Sequence, residues 1–209
     1  MDVHAPHEPV HTWRDFFTHL TIVTIGLFIA LSLETFVEYL HHRHLVHEAR
    51  ENIRQEIEDN HKAAQKDLVL LQQNINTQKA NIQTIHQLMS HPKDFHGAVR
   101  NSMSFDSLSD AAWHTARDTG ALGYMPYDEV QRYSDLYMLE DLVNTHVVSA
   151  AEQDFQAATF FEMGYDPENL PDAEYPRLLR ENASTQIAFT TLKQFVQQFD
   201  DSCVTELKR

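Results

Sequence analysis

The sequence predicts an all-α protein: an N-terminal transmembrane helix continuing into a long stalk helix packed in an antiparallel three- to four-helix bundle. Three observations carry this. Residues 16–33 are a run of 18 without Asp, Glu, Lys or Arg. Apart from Gly26, no Gly or Pro interrupts residues 13–91, and Pro92 follows. With 5 Gly and 7 Pro in 209 residues, the chain has little of the turn chemistry a β-rich fold needs, and no alternating strand pattern is visible.

Residues 1–12 read as a polar tail holding His4, His7 and His11, ordered only by a partner or a metal. Residues 13–40 are the span. At a rise of about 1.5 Å per residue, 18 residues cover roughly 27 Å, close to the ~30 Å hydrocarbon core of a bilayer. Trp13 and Tyr39 suit the two interfaces. Thr18, Thr21, Thr24 and Ser32 are expected to bond back to their own helix, so they do not forbid insertion. Glu34 and Glu38 lie one turn apart, in the headgroup zone; buried, Glu34 would need a partner from another helix. Two other readings compete. Ala30-Leu31-Ser32 resembles a signal cleavage site, but the basic n-region shrinks to Arg14 beside Asp15. A buried helix of a soluble protein has the same composition. Gly26 and Ala30 form a small-xxx-small pair that would let two helices approach.

Residues 41–92 are the stalk. Ile57, His61, Ala64, Leu68, Leu71, Ile75, Gln78, Ile82, Ile85 and Met89 step by four and three, which predicts a seam buried within the chain or in a coiled-coil oligomer.

Residues 93–209 supply the rest of the bundle, after a connection marked by Pro92 and Gly97. In SFDSLSDAAWHTARDTGALGYMPYDEVQRYSDLY, Ser107 or Ser109 is expected to cap a short helix that Gly120 ends. Leu108, Ala112 and Ala116 face one way; Asp110, His114, Arg117 and Asp118 face the other. Pro126, Asp128 and Glu129 suit the first turn of a helix carrying Val130, Tyr133, Tyr137, Val143, Val147 and Ala150, and ending near Gly164. DPENLP is a loop. Pro171 is expected to start the last helix, with Leu178, Leu192, Phe195, Phe199 and Cys203 on its apolar stripe. Asn182-Ala183-Ser184 matches a glycosylation acceptor but falls in mid-helix, which makes the match accidental.

The net charge is −15. Residues 104–175 carry 15 Asp and Glu against Arg117 and Arg132, a local balance of −13. That argues against nucleic acid and against docking this surface on anionic lipid; it fits a solvated surface or a face for a cationic partner. Cys203 is the sole cysteine, so no disulfide forms within the chain.

Candidate ligands are histidines. The chain has 14, four of them in HHRHLVH just past the span. His41, His44 and His47 are the metal candidates, since neighbouring turns bring side chains together. One helix converges two of them at best, so Glu38, Glu48 or a second copy would complete the set. Proton sensing is open to the same residues, and a polar juxtamembrane collar is the plain reading. Asp110, His114 and Asp118, one turn apart, have the spacing that orients an imidazole for acid–base work. No phosphate-cradling Gly loop, HExxH, CxxC or nucleophile elbow occurs. The expectation is therefore no enzymatic activity, no cofactor and no small-molecule substrate.

IVTIGLFIALSLETFVEYLHHRHLVHEA and AAWHTARDTGALGYMPYDEVQRYSDLY, together about a quarter of the chain, resemble a loose group of uncharacterised bacterial membrane-anchored helical proteins. The resemblance implies one N-terminal span and an α-helical domain, and carries over no functional residue. The expected role is a single-pass interaction or structural subunit of the bacterial inner membrane, with the bilayer and a protein partner or a second copy bound through span and stalk. The alternative is a His-based metal or pH sensor. Arg43, Arg50 and Arg54 after the span, against Arg14 before it, place the acidic domain in the cytoplasm.

Overall fold

The computed structural model describes residues 13–90, 99–100, 103–163 and 170–209. The tail 1–12, the connection holding Pro92 and Gly97, and Gly164 with most of DPENLP lie outside the described residues. The described residues form four α-helices and one 3-10 turn: α1 Trp13–Ser90, α2 Ala111–Asp118, the turn Ala121–Tyr124, α3 Tyr127–Glu162 and α4 Tyr175–Leu207. The chain divides into two units, Met1–His47 and Glu48–Arg209. Helix α1, 78 residues long, has no break over 41–47, as the absence of Gly and Pro predicts.

In the second unit, side-chain pairs fix the direction of each helix. Arg50 with Glu129, Glu56 with Tyr137 and Gln78 with Asp154 set α3 parallel to α1. His61 with Asp200, Gln72 with Lys193 and Asn81 with Asn182 set α4 antiparallel to α1. Arg132 with Glu206, His146 stacked on Phe195 and Thr185 with the Gln153 carbonyl set α4 antiparallel to α3. Ile53, Ile57, Leu71, Phe189, Leu192 and Phe199 are fully buried between them. At the other end Ile85 and Leu88 pack with Leu170, Tyr175 and Leu178.

Two parallel helices need a return connection, and α1 itself holds it. The Asn60 amide donates to the Ser109 carbonyl at 2.7 Å and accepts from the Ser109 N–H at 2.9 Å. The Asp106 N–H donates to Asp67 Oδ1 at 2.8 Å. The Asn81 amide donates to the Arg100 carbonyl at 2.8 Å and accepts from the Arg100 N–H at 3.0 Å. Seven helical residues advance about 10.5 Å and three extended residues about 10 Å. One heptad of α1 thus matches three residues of strap running the other way, as Asn60 and Asp67 match Ser109 and Asp106.

This ladder corrects the expected seam. From Ile53 onward the buried positions of α1 are Ile53, Ile57, Asn60, Ala64, Asp67, Leu71, Asn74, Gln78, Asn81, Ile85 and Leu88, with Ile75 beside them. Six of the ten expected seam positions stand, at Ile57, Ala64, Leu71, Ile75, Gln78 and Ile85. At the other four the buried line runs one residue earlier: Met89 is 42% exposed, and His61, Leu68 and Ile82 are half-buried. The reason is that one line of the interface meets a bare backbone, whose N–H and C=O groups must be paired when buried. Asn and Asp do this; Leu and Ile do not.

The remaining elements follow local chemistry, with two corrections. Neither Ser107 nor Ser109 is the main cap of α2, since Ser109 Oγ lies 3.4 Å from the Ala111 N–H. Glu56 of α1 accepts instead from the Ala112 and Trp113 N–H groups at 2.8 and 3.3 Å. Gly120 stops α2 as expected, at φ 78°, where any other residue pays strain. Helix α4 starts at Tyr175 rather than Pro171. Pro171 opens a turn closed by the Glu174 N–H on its carbonyl, and Pro176 sits at the first turn, where no N–H is missed.

Candidate functional site

Three places in the molecule concentrate chemistry: the apolar half of α1, the histidines after it, and the polar junction around α2.

The first is a helix surface with no protein over it. The best 18-residue window of α1 has mean hydropathy 2.1 and is 0% buried. Leu27, Phe28 and Ile29 are 58%, 65% and 64% exposed. Hydroxyls within it are satisfied locally: Thr18, Thr21, Thr24 and Ser32 each donate to the carbonyl four residues back, at 2.7–2.9 Å, and Thr35 does the same. Trp13, Phe16 and Phe17 stack at its start. A Cβ at Gly26 would meet nothing within 4 Å, so that face is open. This helix is long and apolar enough to cross a membrane.

His41, His44 and His47 are all exposed on α1, and the His41 and His42 rings lie 6.0 Å apart. Among the described residues no three His, Cys, Asp or Glu side chains converge where a metal ion would sit.

At the junction, the Glu56 carboxylate takes four donors. Besides the two α2 N–H groups it accepts from Ser109 Oγ at 2.8 Å and from the Tyr137 hydroxyl at 2.7 Å. The Trp113 ring stacks on Tyr137 with centroids 5.2 Å apart. Burial, and then Glu56, pushes the Tyr137 phenol far above its usual range, so it stays a neutral donor. Of Asp110, His114 and Asp118, only the first two meet, Asp110 Oδ2 lying 2.8 Å from His114 Nε2. Asp118 pairs with Arg117 instead. The His114 and Asp110 side chains are 44% and 46% exposed, so no closed pocket isolates them. The junction positions α2.

Buried carboxylates line the same unit. Asp67 is fully buried, its Oδ2 has no partner, and burial pushes it up to about 6. Burial, with Asp110 nearby, pushes Glu140 up to about 7, although it accepts from Asn144 at 2.5 Å. Asp154 is raised by burial as well. The Cys203 thiol is pushed up to about 12 by burial, which leaves it protonated and inert. Asn182 is fully buried and donates to the Leu178 carbonyl, so the acceptor motif around it is inaccessible in the folded chain.

Sequence reasoning missed Glu56 and the polar ladder. A signal for the ladder was present: Asn60, Asp67, Asn74 and Asn81 recur every seven residues. Nothing local marks Glu56 as the cap of a helix more than 50 residues away. No protein-family model matches the chain, and neither the curated proteins nor the solved structures give a match.

Proposed function

We propose that this chain is a single-pass membrane-anchored interaction or structural subunit without enzymatic activity. One observation carries the reading: a helical stretch of span length leaves every apolar side chain uncovered. In water such a surface is an aggregation hazard, whereas in hydrocarbon it is the ordinary state of a spanning helix. The second unit is then the working part, an acidic bundle for a protein partner or a second copy. The resemblance and the arginines after the span favour a bacterial inner membrane with this unit on the cytoplasmic side.

Carbonate extraction of membranes from expressing cells tests the anchor, the chain staying with the lipid. Release of the chain, or a mature N-terminus near Leu33, defeats it. Fusions after Arg209 test the topology. Fluorescence from a green fluorescent protein fusion fits the cytoplasmic side; alkaline phosphatase activity reverses it.

The exposure of His41, His44 and His47 supports the second reading, a metal or pH sensor completed by a second copy. Elemental analysis of the purified full chain decides it. A stoichiometric transition metal lost in a His44→Ala variant would favour the sensor.

A further inference from the structure

We propose that the second unit binds a phosphate-bearing anion in a mouth lined by Arg50, Arg54, Arg132 and Arg209. Residues 48–209 carry 26 Asp and Glu against 14 Lys and Arg, yet these four guanidinium groups from α1, α3 and the residues after α4 line one cavity of about 270 Å³. Three carboxylates hold the inner pair in place. Glu129 accepts from Arg50 Nε and Nη2 at 2.7 and 2.6 Å. Glu206 accepts from Arg132 Nε at 3.3 and 3.4 Å, and Asp128 takes Arg132 Nη1 at 3.0 Å. Among the described residues Arg50 Nη1 and Arg132 Nη2 take no acceptor.

The outer pair is held more loosely. Arg54 meets only Glu58, through Nε at 3.3 Å, and Arg209 comes no closer than 3.9 Å to Glu206. Both are more than half exposed, and among the described residues their terminal nitrogens have no acceptor. The lining charges comprise four cations against Glu129 and Glu206, while Asp128 and Glu58 pair with Arg132 and Arg54 from outside the lining, so the inner forks are fixed and the outer ones lightly held. Planar guanidinium forks match the oxygens of a phosphate two at a time, which an ammonium cannot do. A phosphate would take the guanidinium N–H groups that these carboxylates leave over.

Two sources carry this chemistry, a free phosphate group and a phospholipid headgroup. Arg50 is ten residues beyond Leu40, so at most about 36 Å of chain separates them. A headgroup is therefore within reach of a chain anchored by its span, while a soluble phosphate needs no anchor.

Thermal unfolding of the full chain in uncharged detergent micelles tests the site. Inorganic phosphate is compared with chloride at matched ionic strength, and phosphatidylglycerol with phosphatidylcholine. The melting temperature is expected to rise by about 3–5 °C in at least one comparison. The Arg54→Ala/Arg209→Ala variant is expected to need at least about tenfold more ligand for the same rise. Arg54→Gln alone, which removes a single 3.3 Å contact, replaces it should the double variant not fold. A rise with inorganic phosphate identifies a free phosphate group, and a rise with phosphatidylglycerol alone identifies a headgroup; either upholds the site. No rise in either comparison, or an equal rise in the variants, overturns it. A chain released by carbonate that is still stabilised by phosphate would defeat the anchor and leave the site standing.

Discussion

The two parts of α1 partition their side chains in opposite ways. Residues 16–33 turn Leu, Ile and Phe outward, where no protein covers them. Farther along the same helix, Asn60, Asp67, Asn74 and Asn81 are buried while Val69 and Met89 are exposed. Neither pattern follows the rule that apolar groups go inside. In the first part nothing in this chain covers the helix; in the second, one neighbour is a strap whose backbone demands polar partners. Hydropathy alone reports how a residue feels about water, and the comparison shows that the neighbour decides.

The largest effect should come from a charge placed at equivalent leucines in the two parts. Leu71 is 0% exposed. Leu71→Asp should cost the second unit at least about 4 kcal/mol, seen as loss of cooperative melting. Ile75→Asp should behave similarly, since Ile75 is buried at the edge of the same seam. Leu27→Asp should leave that melting within about 0.5 kcal/mol and instead weaken membrane retention, at an insertion cost of about 2.5–3.5 kcal/mol. A drop in melting for Leu27→Asp would mean that the apolar part is covered by protein, which breaks the contrast.

The ladder gives a sharper test, because its rungs differ. Asn60 and Asn81 each pair with both backbone groups of one strap residue. Asn60→Leu or Asn81→Leu should lose about 2–4 kcal/mol by chemical denaturation, although each puts an apolar residue on a buried heptad line. The Asn74 amide nitrogen is buried without a hydrogen-bond partner among the described residues. Asn74→Leu should be neutral, or stabilising by up to about 1 kcal/mol. Equal losses at all three positions would show that burial, not backbone pairing, sets the polar line.

The smallest effect is a pH dependence opposite to that of most proteins. Asp67 and Glu140 carry folded pKa values of about 6 and about 7, well above the ordinary carboxyl range. A carboxyl raised by folding binds its proton more tightly in the native state. Its contribution is fully present below the unfolded pKa and is lost as pH rises through the folded one. Melting should therefore improve by about 1–2 kcal/mol between pH 8 and pH 5. Asp67→Asn and Glu140→Gln should each flatten the profile. A profile that falls from pH 8 to pH 5 would mean that both carboxylates are solvated in the folded unit. Below about pH 4 the trend should reverse, because Arg50 holds Glu129 below its usual value and protonation breaks that pair.

Local chemistry determined much of this protein from sequence. A run without Gly or Pro forms one helix over Trp13–Ser90; Gly120 stops α2 because a left-handed residue is needed there; Pro126 precedes α3 by one residue. The charge-free apolar run marks the segment able to cross a membrane, since length and composition suffice for that. Of the residues singled out for chemistry, Asp110 and His114 do meet, as one helical turn requires, whereas Asp118 turns to Arg117. Only the tertiary structure decided the rest. Which line of α1 is buried, which carboxylate caps α2, and which four arginines share a mouth all depend on groups brought together from separate elements. The seven-residue recurrence of Asn and Asp is written in the sequence, but its meaning is not. A buried asparagine is stabilising only where an unpaired backbone lies opposite, and that backbone is placed by the fold.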